Sequence, residues 1–209
     1  MTQPIHHYTP NAWQGNNYRS GMDIKDIARA IRKELKEATP ECKWSIRIER
    51  YSGGKSLYIS LMEAPFDAIK AVRRESFAGG EHKFIIEPVK EQYAQINHYH
   101  LDNYSNEDEW AGVNNGYVLH EDAIKALKHA THFANSFNFD DSDSMIDYFH
   151  TNFYLHLEIG RWNKPFVNTL YVEEIANECE SEECGRCVNL DACFEPAPKN
   201  PVTYEDYSI

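Results

Sequence analysis

Residues 138–166 read NFDDSDSMIDYFHTNFYLHLEIGRWNKPF, and this stretch decides how the rest of the chain is read. A run of carboxylates, Asp140, Asp141, Asp143 and Asp147, passes directly into a two-residue alternation. Phe149, Thr151, Phe153, Leu155, Leu157 and Ile159 fall on one side, with Tyr148, His150, Asn152, Tyr154, His156 and Glu158 on the other. Successive side chains of a strand point to opposite faces, so the pattern predicts a half-buried central strand over 148–159. Gly160 ends it, and Lys164-Pro165 turns the chain out of the sheet because proline cannot donate to a ladder. The polar side of this strand carries the densest chemistry in the protein.

N-terminal to it the local signals are mixed. Residues 1–20 lack a pattern and are expected to form an extended or mobile, flexible arm. Asp23 and Asp26 mark a helix start, since carboxylates suit the open amides of a first turn. Ile24, Ile27, Ala28, Ile31 and Leu35 follow at helical spacing, with Lys25, Arg29, Arg32, Lys33 and Lys36 on the outer face. Trp44, Ile46 and Ile48 then alternate with polar residues, as do Leu57, Ile59 and Leu61, and Ser52-Gly53-Gly54 between the runs predicts a hairpin. Gly54-Lys55-Ser56 is not a phosphate loop: the required upstream glycine is Glu49, and a strand follows where the motif needs a helix. A second helix is expected from Pro65, with Phe66, Ala68, Ile69 and Val72 as its apolar side, ending at Gly79-Gly80. Strands are expected at 83–87 and 93–101, and a third helix from Glu121-Asp122 with Ile124, Leu127, Thr131, Ala134 and Phe137 as its stripe. The fold expected is α+β: an antiparallel or mixed sheet packed against about three helices, with a small C-terminal four-cysteine metal knuckle. The domain boundaries expected are 1–20 arm, 21–172 α+β domain (21–90 and 91–172 as its two halves), 173–195 cysteine knuckle and 196–209 Pro-rich tail.

The helix and hairpin sequences IARAIRKEL and KWSIRIERYSGGKSLYISL resemble the large polyvalent protein associated domain of type twenty-nine, and residues 137–166 resemble the C-terminal part of the same group. That resemblance implies a phage or mobile-element setting and a role against host defence. It supplies no catalytic residues.

Charge divides the chain. Residues 1–90 hold 15 Lys+Arg against 11 Asp+Glu, whereas residues 91–209 hold 6 against 22, within a total of -12. An acidic chain is a poor general DNA binder, because nonspecific affinity comes from neutralising phosphates. The acidic half instead suits a partner with a basic surface. A content of 42% hydrophobic residues supports a globular core, and no apolar run approaches the ~18 residues of a membrane span. A cytoplasmic protein without membrane association is expected.

Four constellations carry chemistry. Cys179, Cys184, Cys187 and Cys193 fall within fifteen residues, and the Cys-x2-Cys at their centre has the spacing at which two thiolates hold one ion. Zinc is the default, with an iron–sulfur cluster as the alternative: the Cys-x4-Cys-x2-Cys part is similar to plant-type ferredoxins, and Cys-x2-Cys-x5-Cys is similar to the tail cluster of RecB-like nucleases. The carboxylate run fails as a calcium loop, since counting from Asn138 puts Asp143 at the glycine position and Phe149 at the final glutamate position. A second candidate site joins His98 and His100 on one strand to His150 and His156 on another, with Asp147, for metal or acid–base work. Arg47, Arg50 and Lys55 form the candidate nucleic-acid patch. The function expected is a nonenzymatic accessory protein that binds a host protein through an acidic surface as an anti-CRISPR-like or nuclease-inhibiting factor. The alternatives are nucleic-acid binding through the basic half and metal-dependent hydrolysis.

Overall fold

The computed structural model describes residues 9–10, 12–78, 81–88, 92–101, 113–114 and 116–170. The organising element is a hairpin of β2 (Lys43–Tyr51) and β3 (Gly54–Ala64), paired antiparallel with Tyr51 opposite Gly54. Gly53 supplies the turn with φ +96°, which an L side chain rarely adopts. On its other edge β3 receives β10 (Tyr154–Ile159) in parallel, with Tyr154 opposite Ser56 and Ile159 opposite Leu61. β6 (Ala94–Ile96) closes that side antiparallel to β10, and β11 (Val167–Asn168) resumes the parallel pairing at Glu63–Ala64. The result is a mixed five-stranded sheet.

Most apolar positions of β2, β3, β6 and β10 lie on one face, with Met62 buried on the other. Ile46, Ile59, Leu57, Leu61, Leu157, Ile159 and Ile96 are all buried there against α1 (Ile24–Ala38) and α2 (Glu121–Asn135). α1 contributes Ile24, Ile27, Ala28, Ile31 and Leu35, and burial of each large aliphatic is worth about 1.5–3 kcal/mol. Asp23 caps this helix by accepting from the Lys25 N–H at 2.9 Å, which holds its carboxyl below the usual carboxylate range. His129 of α2 meets Glu34 of α1 at 3.1 Å.

Four further strands, β4 (Ile69–Ala78), β5 (Glu81–Pro88), β7 (Val113–Asn114) and β8 (Tyr117–Leu119), form a separate sheet in the order β5-β4-β8-β7. Here the expected second helix is corrected. Residues 69–78 are a strand, and there are two helices among the described residues. Phe66, Ile69 and Val72 mimic helical spacing, but β4 pairs with β8 from Ile69 to Val72 and with β5 from Ala71 to Ala78, which gives its backbone strand partners. Two further differences affect the site. The expected strand at 93–101 ends at Ile96 and turns into a single 3-10 turn at His98–His100, capped by Asn97 accepting from the Tyr99 N–H. The central strand begins at Tyr154, six residues later than the alternation suggests, because 140–151 forms its own hairpin-like loop. Within the expected arm, Trp13–Gln14 (β1) pairs with Phe139–Asp140 (β9). The cysteine knuckle and Pro-rich tail fall in a second unit, Leu170–Ile209, of which 171–209 lie outside the described residues.

Candidate functional site

The face of the five-stranded sheet opposite the helices is polar, and the register arranges it in rows. Arg47, Tyr58 and His156 stand side by side across β2, β3 and β10. Ser45, Ser60, Glu158 and Gln95 form the next row, and Glu49, Ser56 and Tyr154 the row on the other side. His156 stacks on Tyr58 with ring centroids 4.5 Å apart and planes 13° from parallel, while the Arg47 guanidinium sits 4.8 Å from the centre of the same ring. Since β2 and β10 flank β3 on opposite edges, Tyr58 is held between a cation and an imidazole.

Beneath this row lies a buried carboxylate. Glu158 is 6% exposed, and its Oε2 accepts from Arg47 Nη2 at 2.9 Å and from the Ser60 hydroxyl at 2.7 Å. Tyr58 donates its hydroxyl to Glu49 at 2.9 Å, a bond that raises the phenol above its ordinary range. Beside His156 the chain rises through Asn97 into the turn bearing His98 and Tyr99, enclosing a recess of about 330 Å³ lined by Tyr58, His98, Tyr99, His156 and Glu158. A second recess of about 320 Å³ shares His98, Tyr99 and His156 with it and extends past Tyr154 to Asp140 and Phe149. Burial lowers the His98 imidazole below its usual range, and the nearby His156 opposes its protonation further. Burial also lowers His156, against the opposing pull of Glu158 and Glu49. Both rings therefore favour the neutral form at neutral pH.

The residues expected from the sequence separate into four groups. His98 and His156 come together at the recess. His100, Asp147 and His150 do not join them: His100 is exposed on the 3-10 turn, Asp147 sits at the loop tip with φ 53°, and His150 lies 3.9 Å from Asp141. Among the described residues no group of three or more His, Cys, Asp or Glu is arranged to hold a metal ion. Arg47 and Arg50 differ by an odd number of positions, so they lie on opposite faces. Arg47 is on the open face, while Arg50 pairs with Asp23 at the start of α1 and stands opposite Lys55 on the helix side. The three cations form no single patch. Cys179, Cys184, Cys187 and Cys193 lie outside the described residues. Cys42 is buried and its thiol is pushed up to about 11 by burial and by Glu41, so it packs as a small apolar group.

Tyr58, Tyr99 and Glu49 are the residues that reading along the chain does not single out as a unit. Arg47 stands opposite Tyr58 because the turn is Ser52-Gly53, with Gly54 already in the ladder opposite Tyr51. Also unforeseen is the tip of loop 140–151. Asp141 is 1% exposed and accepts from both the amide and the hydroxyl of Thr9 at 2.8 and 2.9 Å. Asp143 and Tyr148 exchange backbone bonds at 2.7 and 3.0 Å, and Asp143 also accepts from the Met145 N–H. These bonds hold Met145, Ile146 and Phe149 outward at 89%, 58% and 59% exposure.

Residues 22–115 match the family model of the large polyvalent protein associated domain 29. A domain of this description suggests a phage- or mobile-element-associated protein. The matched segment includes α1, the β2–β3 hairpin and the turn with His98 and Tyr99, whereas His156 and Glu158 come from β10 beyond it. The recess is thus built jointly by the domain and the strand that follows. No curated protein and no solved structure matches the chain significantly. Among the described residues, no helix is long and apolar enough to cross a membrane.

Proposed function

We propose that this phage- or mobile-element-associated chain is a nonenzymatic binding protein that engages a host protein with a basic surface, and that loop 140–151 is its main contact. The observation that carries this reading is the stiff display of Met145, Ile146 and Phe149 in water beside Asp143 and Asp147. Large apolar groups clustered on a rigid loop are the chemistry of a protein contact, since burying them against a partner recovers hydration free energy at little ordering cost. The flanking carboxylates favour a cationic partner and speed its encounter. An acidic surface of this kind competes with nucleic acid for the basic surface of a host nuclease, which is how an anti-defence role is exercised. The cysteine spacing supports, in addition, a zinc or iron–sulfur centre at Cys179, Cys184, Cys187 and Cys193.

The test compares proteins captured from host extract by wild type, by Met145→Ser/Ile146→Ser and by Asp143→Asn/Asp147→Asn. The Asn substitutions keep the capping geometry and tolerate positive φ. A specific, salt-sensitive host protein lost by both variants is the expected result. The same protein retained equally by both folded variants overturns the assignment of the loop.

A further inference from the structure

We propose that the recess between Tyr58, His156, His98 and Tyr99 receives an arginine side chain of the protein partner, with Glu158 as its anionic anchor. This deepens the binding function above and rests on it for the identity of the partner. Three features of the recess select this ligand. Size is the first: about 330 Å³ is at the lower end of ligand pockets and suits one planar side-chain head. The second is the arrangement of rings. Tyr58 and His156 are already stacked at one wall, and Tyr99, 68% exposed and 4.0 Å from the His98 ring centre, stands at the other. A guanidinium stacks on such faces, which a compact ammonium does not do.

The third feature is charge, which decides between a cation and a nucleotide. Among the described residues, Glu49, Glu158 and, in the adjoining recess, Asp140 outnumber the cation Arg47. A phosphate entering here meets net repulsion, whereas a guanidinium meets attraction. Both bonds from Arg47 and Ser60 converge on Oε2 of Glu158, which leaves Oε1 to accept an N–H from the incoming group. His98 and His156, resisting protonation, add no opposing charge at neutral pH.

The experiment titrates isotopically labelled full-length protein with Gly-Gly-Arg-Gly-Gly at pH 7.5, following the histidine and tyrosine ring signals by NMR. Peptides with citrulline or lysine at the centre, and adenosine monophosphate, serve as comparisons. The expected result is saturable movement of His98, His156 and Tyr99 signals with the arginine peptide, at least tenfold weaker for citrulline and for Tyr99→Ala. Because Glu158→Gln also perturbs the sheet, the exposed Tyr99→Ala variant keeps the test independent of folding. Equal binding of citrulline, tighter binding of the nucleotide, or no movement of recess signals overturns the proposal. Met145→Ser/Ile146→Ser is expected to leave the peptide titration unchanged. Peptide binding without loop-dependent capture therefore sinks only the loop assignment, and capture without peptide binding sinks only this one.

Discussion

Arg47 and Glu158 form an ion pair whose two halves are unequally buried, so replacing one must cost more than replacing the other. The Glu158 side chain is 8% exposed and that of Arg47 is 43% exposed. Glu158→Gln keeps a polar group for Ser60 and leaves Arg47 able to turn into water, so the loss resembles that of a surface pair, about 1 kcal/mol. Arg47→Met keeps the apolar stem over Tyr58 but strands a carboxylate that retains only the Ser60 donor. Breaking a fully buried pair costs about 3–5 kcal/mol, and the remaining charge-assisted bond offsets part of this, giving about 2–3 kcal/mol. Arg47→Met is therefore expected to destabilise more by about 1–2 kcal/mol, and the double variant to fall near the Glu158→Gln value. Urea unfolding at pH 7.5, followed by tryptophan fluorescence with a common slope, measures all four proteins. Equal costs, or a larger cost for Glu158→Gln, refute the asymmetry and with it the picture of a desolvated anion beneath the recess.

Gly160→Ala is expected to destabilise by about 2 kcal/mol or more, because φ is +63° and the added carbon falls 2.4 Å from the Gln92 carbonyl oxygen and 2.5 Å from the Phe166 nitrogen; thermal unfolding reads this out. Leu157→Ala, which empties a site 2% exposed in the sheet core, is expected to cost about 2–5 kcal/mol by denaturant titration. His98 and His156 are both lowered in the folded state, so the unfolded chain binds more protons as pH falls. Their contribution is fully present above the unfolded value of about 6.5 and is lost as pH drops through the lower folded values. Urea midpoints at pH 7.5 and 5.5 should fall less steeply in His98→Asn than in wild type. Protein purified without oxygen should carry either stoichiometric zinc without colour or an iron–sulfur absorption band, and lose it on Cys184→Ser/Cys187→Ser; metal analysis and a visible spectrum check this.

Some of this architecture is local and could be read directly. Asp23 followed by Ile24, Ile27, Ile31 and Leu35 specifies a capped amphipathic helix, and Ser52-Gly53-Gly54 between two alternating runs specifies a hairpin, whose register is then fixed by the pairing of Tyr51 with Gly54. Glu121-Asp122 with the stripe through Ala134 specifies α2 in the same way. Where periodicities competed, local reading failed: 66–72 has apolar residues at spacings that suit either element, and only the edges of β5 and β8 make it a strand. Phe149 continues the alternation of β10 in sequence yet stands in water, because Asp141 and Asp143 close the loop on His150 and Tyr148 before the strand begins.

The candidate site follows the same division. Arg47, Tyr58, His98, His156 and Glu158 were each visible as polar residues on alternating positions, and the hairpin already placed the first two on neighbouring strands. Their meeting depends on β10 docking in parallel beside β3 across about a hundred residues of chain, and on β6 closing beside it. Residue types and short-range spacing determined which faces are apolar, because that information is carried within one or two turns of backbone. Which strand lies beside which, which carboxylate is buried and which rings touch was decided by the tertiary structure, because those outcomes depend on competition among many chain pairings for the same hydrogen-bonding edges and the same core.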